Sequence, residues 1–315
     1  MTGKKNRRPV SPHNINLQDP LQGRRWLQLL EPDPGCGFRL KPRLDVPQRV
    51  MGFSLRSNRF GLRGPEDDQG DDVILGTSFA MGIAVNNGEN WWELGLPGAG
   101  WMNLGLAVGF REWNDLLGRF YRGSFQRAWL LYHPNFWAHC RMYERWRQNG
   151  QEIFEALRWR RDLFGCAQLK ARRIWRRPRL IRSGRLLRIS HGGLPMEIDA
   201  EYTHLELEQS RDLFDRNLRI LGEILSRFRE VNIVRIRVKQ EAVPEADGNE
   251  ILAATCRGYD RWFEATRAGL AHLPQVRVLE EPEMGLENFH ARDSHWNAQG
   301  NRRFATWLQE QIKPS

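Results

Sequence analysis

Apolar positions along the chain fall into two alternating patterns. Short, mostly apolar runs occur at residues 73–75, 102–107, 128–133 and 276–279, the first of them bounded by charge and glycine. A short apolar run so bounded suits a strand buried on both faces of a parallel sheet. Residues 232–238 alternate apolar and basic side chains and read as one more strand. Helical spacing fills the gaps at 112–121, 136–148, 250–271 and 298–311. The clearest helical pattern covers 203–229, where Leu205, Leu213, Leu218, Leu221, Ile224, Leu225 and Phe228 form one stripe. Its first turn carries Glu206 and Glu208 and its last Arg227 and Arg229, which suits the helix dipole. Strands alternating with helices predict a mostly parallel sheet covered on both faces.

Around this rhythm the chain divides into unequal parts. Residues 1–20 are polar and basic and read as a disordered tail, and 21–65, with Pro, Gly and short apolar runs, as an irregular or β-rich entry segment. Residues 66–315 carry the α/β pattern, interrupted at about 150–200 by what reads as an insertion. A length of 315 residues fits one large domain with such an insertion, and 40% hydrophobic residues supply a sizeable core. Thirteen tryptophans serve either that core or sugar-stacking platforms. No stretch approaches the roughly 20 apolar residues of a membrane span, and the N-terminus lacks an apolar secretory core, so a cytoplasmic location is expected. Cys36, Cys140, Cys166 and Cys256 lack the spacing of a zinc site or a disulfide framework and read as reduced thiols. Neither a metal nor a cofactor is expected.

Charge changes the picture in one place. Residues 158–188 hold twelve Lys or Arg against Asp162 alone, a local +11 that leaves −1 for the remainder of a chain totalling +10. Such a block is a solvated surface, a seat for an anionic polymer or substrate, or a nucleic-acid cradle. Trp159 and Trp175 interleave with it and would suit stacking on sugars or bases. No helix-turn-helix, zinc-finger or RNA-recognition signature accompanies the block, so nucleic acid ranks last.

The candidate chemistry sits at the ends of the strands. Gly76-Thr77-Ser78 follows the first of them, and Asp293-Ser294-His295-Trp296-Asn297 lies near the C-terminus. Serine, histidine and aspartate form one device: histidine takes the serine proton, and aspartate fixes the tautomer and steadies the charge. In open α/β sheets the functional crevice lies beyond the carboxyl ends of the strands. Ser78, Asn135, Asp293 and His295 all follow strands and so fall on that edge. Asn297 is placed to cap the last helix, and Asp293 and His295 would share one side of an extended loop. His133 and His191, the latter beside Gly192 and Gly193, are the competing bases.

These segments resemble the SGNH (GDSL-type) hydrolases over roughly residues 50–312. Gly76-Thr77-Ser78 is similar to the first block, with Thr77 where Asp is usual. The stretch 103–109 (Asn-Leu-Gly-Leu-Ala-Val-Gly) is similar to the second, which contributes an oxyanion glycine. Counted from Asn103 that glycine falls on Val108, so Gly109 serves only with a one-residue bulge. Tyr132-His133-Pro134-Asn135 stands at the third block, with Asn135 as the oxyanion asparagine and Phe136 replacing its second Asp. Asp293-Ser294-His295-Trp296 resembles the last block in its polysaccharide O-acetyltransferase form. The lead-in 56–64 also resembles the segment that precedes the first block. The resemblance implies a three-layer α/β/α sandwich with a mostly parallel, flavodoxin-like sheet carrying the basic insertion. It implies Ser78 as nucleophile, His295 as base, Asp293 behind it, and an oxyanion hole of the Ser78 amide, Gly109 and Asn135. The implied activity is that of a serine esterase or O-acyltransferase on a small acyl ester, acetyl above all, of a carbohydrate or similar hydroxylated substrate. The alternative is a non-catalytic member of that fold that binds an anionic polymer through the insertion.

Overall fold

The computed structural model describes residues 25–66, 69–96, 100–133, 135–148, 178–200, 210–243, 248–279 and 281–312. The tail at 1–20, most of the basic block and residues 201–209 therefore lie outside the described residues.

The entry segment forms two small antiparallel pairs. Strands β1 (Leu30–Asp33) and β2 (Gly37–Leu40) make a hairpin, and β3 (Asp45–Val46) pairs with β4 (Leu55–Arg56). The first turn closes on Asp33, whose Oδ1 accepts from the backbone N–H groups of Gly35 and Cys36, each at 3.0 Å. An aspartate bonding its own following backbone is a common turn device.

Strands β5 (Asp72–Gly76), β6 (Trp101–Gly105) and β7 (Arg127–Tyr132) come next. An antiparallel hairpin of β8 (Leu186–His191) and β9 (Leu194–Asp199) follows, and then β10 (Glu230–Arg235) and β11 (Val276–Leu279). The central sheet has the order β11-β10-β7-β5-β6 with every pair parallel. Counted along the chain from β6, that is the 2-1-3-4-5 order of flavodoxin-like sheets.

Alternate side chains of each strand serve opposite faces. Val73, Leu75, Leu130 and Tyr132 pack in one core with helices Phe110–Phe120, Phe136–Gln148 and Arg211–Leu225. Ile74, Trp129, Leu131 and Val234 pack in a second core with helices Trp91–Gly95 and Ala298–Ile312. The result is a three-layer α/β/α sandwich. Trp91, Trp113, Trp129 and Trp137 are fully enclosed, so these four serve the core rather than a sugar platform. Among the described residues, no helix is long and apolar enough to cross a membrane.

The differences from the sequence reading have local causes. The long helix is observed as Arg211–Leu225, with Asp212 in its first turn, while Leu205, Glu206 and Glu208 lie outside the described residues. Arg227 and Arg229 are not in its last turn. The backbone N–H groups of Arg227 and Phe228 bond the carbonyls of Ile224 and Leu225, a tightened turn that leads directly into β10. The second strand stops at Gly105, two residues early, because the Val108 N–H bonds the Leu106 carbonyl at 2.8 Å and closes a sharp turn. The described end of the insertion, 178–200, contains the β8–β9 hairpin.

Candidate active site

Ser78 opens a short helix, Ser78–Met81, one residue after β5. Two close approaches hold that helix down. A side chain at Gly105 would meet the Met81 backbone nitrogen at 2.4 Å, so only glycine lets β6 pass beneath it. Beside it, Asn103 Nδ2 donates to the Ala80 carbonyl at 2.9 Å, while its Oδ1 accepts from the Gly105 N–H at 2.7 Å. The helix ends at Gly82 in the left-handed region (φ 69°), and the chain turns away through 82–87.

The lead-in segment secures that turn. Arg63 is buried, and its guanidinium donates to the carbonyls of Gly82, Val85 (2.9 Å) and Ser54 (3.2 Å). Burial lowers its pKa to about 10, against the charge of Glu93, which raises it. Asn58 shapes the lead-in itself, accepting from the N–H groups of Phe60 and Leu62, each at 3.0 Å, and donating to the Pro65 carbonyl.

The second half of the site is a closed loop. Phe289 and Trp296 form an isolated antiparallel bridge, and the His290 N–H donates to the His295 carbonyl at 3.1 Å. Asn297 Oδ1 then accepts from the N–H groups of Gln299 and Gly300, capping helix Ala298–Ile312. Its Nδ2 donates back to the carbonyls of Glu287 (2.7 Å) and Phe289 (3.0 Å). The loop is not extended between Asp293 and His295, contrary to expectation. It bends, because Asp293 Oδ1 accepts from the His295 backbone N–H at 3.0 Å and also from the His295 ring at Nδ1. An aspartate turn of this kind brings residues two apart together without extended backbone.

His295 Nε2 lies 2.7 Å from Ser78 Oγ. Asp293 is buried, and burial alone would raise its carboxyl pKa. The charge of His295 and the two hydrogen bonds from it prevail and hold the group well below the usual carboxylate range. An ionised carboxylate only accepts hydrogen bonds, so Nδ1 carries the proton and Nε2 accepts from the serine hydroxyl. The Phe79 ring lies 5.1 Å from those of both His295 and Trp296 and 4.9 Å from that of His133, an apolar wall beside the serine. This arrangement can move a proton from Ser78 to His295 while the new charge stays paired with Asp293.

The remaining candidates sit as follows. Asn135 lies just beyond β7, its carbonyl accepting from His139 N–H in the first turn of helix Phe136–Gln148 and its own N–H donating to His133 Nδ1 at 3.0 Å. His133 is buried, which keeps its pKa well below the ordinary value, and its Nδ1 is occupied by Asn135. His191 is exposed on the hairpin, 3.4 Å from Glu287. The base facing Ser78 is therefore His295. Gly109 is the cap residue of helix Phe110–Phe120, and its Cα looks toward Glu112 and Cys140. The turn at Leu106–Val108 leads from β6 to this cap. Thr77 is buried with its hydroxyl unpaired among the described residues, and Phe136 is packed against Phe110, Trp113 and Tyr132. Of the basic block, Arg179, Arg182, Arg185 and Arg188 are described, and all four are exposed.

Lys239 was not singled out by the sequence reading. It is 2% exposed, and its ammonium donates to backbone carbonyls of the loop bearing Asp293. The sequence does not mark it: in the alternation of 232–238 position 239 continues the basic phase of Arg235 and Arg237, where an exposed side chain is expected.

No family model and no curated protein matches the chain. Among solved structures, a protein of Streptococcus pneumonia provisionally named a platelet activating factor is similar, at 10% identity and a TM-score of 0.40, over 78% of this chain and 85% of that one. A likeness of that size carries no argument about activity.

Proposed function

We propose that the protein is a serine esterase or O-acyltransferase of SGNH type. The observation that carries the reading is the 2.7 Å contact of Ser78 Oγ with His295 Nε2, backed by buried Asp293 on Nδ1. Ser78 Oγ attacks the carbonyl carbon of a small acyl ester as its proton passes to His295 Nε2. The imidazolium that results is stabilised by Asp293 and returns the proton to the departing alkoxide oxygen. A water or an acceptor hydroxyl then attacks the acyl-serine, its proton taken by the same nitrogen and handed to Ser78 Oγ as the acyl–oxygen bond breaks. The Ser78 amide, the Asn135 side chain and an amide near Gly109 are the oxyanion donors of this reading. One such donor is worth about 2.7–4 kcal/mol in a related chemistry. The alcohol side of the substrate is a carbohydrate or other hydroxylated molecule, with acetyl as the acyl group.

Hydrolysis of p-nitrophenyl acetate by the native protein and by Ser78→Ala tests the reading. Activity confined to native protein supports it, and equal rates in both rule it out.

A further inference from the structure

The loop that bears Asp293 turns three of its carbonyls inward. Those of His290, Ala291 and Asp293 converge on one point, joined there by the carbonyl of Glu197 from β9. Buried carbonyls require donors. The Lys239 ammonium fills that point, at 2.7 Å from His290 O, 2.9 Å from Ala291 O and Glu197 O, and 3.3 Å from Asp293 O. Its three protons thus make three short bonds and one long contact. The hairpin contributes a bond of its own, Glu197 N–H to Ala291 O at 2.9 Å, and the side-chain amide of neighbouring Gln240 donates through Nε2 to Asp199 O at 2.8 Å. Everything His295 needs hangs from this loop, because Asp293 Oδ1 fixes both its backbone and its ring.

We propose that Lys239 is a positioning residue: its buried ammonium sets the Asp293–His295 loop against Ser78 and ties the β8–β9 hairpin to that loop. The proposal rests on the catalytic reading above for its effect on rate, and on geometry alone for its effect on His295. Lys239 never touches the reacting atoms. It acts through the backbone of Asp293, so its loss shows in the orientation of His295 before it shows in the fold.

The pH behaviour separates this role from a merely structural one. Burial lowers the pKa of Lys239 to about 8, against the charges of Asp293 and Glu197, which raise it, and His290 also faces it. Deprotonation as pH rises through about 8 removes a donor and the charge, and the loop loosens. The unfolded chain keeps that proton up to about pH 10.4. More protons are then bound in the unfolded state, so this group's contribution to stability rises, not falls, between the two values. Activity should drop where stability from this group does not.

The test uses the full chain, as native protein, Lys239→Met and Lys239→Gln. Two signals are read: the ring 15N shifts of His295, assigned by their loss in His295→Gln, and the rate of Ser78 labelling by a fluorophosphonate. In Lys239→Met we expect His295 to lose its single Nδ1–H tautomer and labelling to slow about tenfold to a hundredfold, as for a misplaced catalytic group. Lys239→Gln, which keeps two donors, recovers part of both. Native shifts and a native labelling rate in Lys239→Met would overturn the proposal. If native protein is not labelled at all, the catalytic reading fails, while the His295 shifts still decide the positioning role. Should the variants not fold, the native protein is followed from pH 7 to 10 instead. Loss of both signals near pH 8 without a drop in melting temperature supports the proposal, and flat signals sink it.

Discussion

Ser78 Oγ and His295 Nε2 meet at 2.7 Å although 217 residues separate them in the chain. Two pieces of local structure, far apart in the chain, aim at that point. One is a strand-to-helix turn that only Gly105 can underlie, clamped from behind by Arg63. The other is a loop closed by the Phe289–Trp296 bridge and capped by Asn297. The two also pack on each other, the Phe79 ring of the first against His295 and Trp296 of the second. The contact is therefore preorganised, which is what proton transfer from a weak nucleophile needs.

Substitution should follow the roles. Ser78→Ala and His295→Ala are each expected to remove nearly all turnover, about 10⁴–10⁶-fold, and together to cost no more than either alone. Asp293→Ala should leave a larger residue, because aspartate only orients and stabilises the imidazolium. Steady-state kcat on an activated acetyl ester measures this. Additive losses in the double variant would show that the two side chains do not act as a unit.

Thr77 makes the opposite prediction. Its hydroxyl is buried at 1% exposure and has no hydrogen-bond partner among the described residues. A buried hydroxyl left unpaired costs about 1–3 kcal/mol. Thr77→Val keeps the shape and removes the polar group, so the urea midpoint should rise or stay level. Thr77→Asp, which installs the residue usual at this place in the SGNH pattern, should lower it by burying a carboxylate in the same spot. A stabilised Asp variant would show that a partner is within reach after all.

Much of the sheet was legible because its strands are buried on both faces. Val73, Ile74 and Leu75 form an unbroken apolar run between charge and glycine, and the observed strand extends it by one residue at each end. The β8–β9 hairpin was not legible. Leu186–His191 is only half-buried to exposed, so no alternation marks it, and the basic side chains around it read as an insertion. At the site, Ser78, Asp293 and His295 could be singled out because their residue types are rare in combination. The bend at Asp293 could not, since it depends on a side chain bonding its own backbone. Lys239 escaped for a related reason: its partners are four carbonyls, and carbonyls leave no trace in a sequence.

Acid should reveal the anchor of the entry hairpin. Asp33 is buried, which alone would raise its pKa, but the hydrogen bonds from Arg119, Cys36 and Gly35 prevail and hold it at about 2. Its folded value lies below its unfolded one, so the stability it supplies is present above about pH 4 and lost as pH falls through about 2. From that difference, about 2 kcal/mol should separate native protein from Asp33→Asn at neutral pH. Chemical denaturation at a series of pH values checks it: the gap should close between about pH 4 and pH 2. A gap that persists at pH 2 would place the effect in packing and not in the carboxylate charge.

The last prediction concerns the basic block. Arg179, Arg182, Arg185 and Arg188 are exposed, in keeping with the high cost of burying a guanidinium group without full compensation. Of these, Arg188 lies 3.6 Å from Glu197, the residue whose carbonyl also receives Lys239, so the described end of the block adjoins the hairpin beneath the Asp293 loop. A positive field at that place would raise the local concentration of an anionic acyl ester or of an acidic glycan bearing it. Such a field is screened over about 8–10 Å at physiological salt. kcat/KM for an anionic acyl ester is therefore expected to fall with ionic strength, while that for a neutral ester stays flat. Replacing Arg179, Arg182, Arg185 and Arg188 together by Gln should flatten part of the anionic response without changing the neutral rate. Parallel, flat responses for both esters would assign the block to a solvated surface or to a partner unconnected with Ser78.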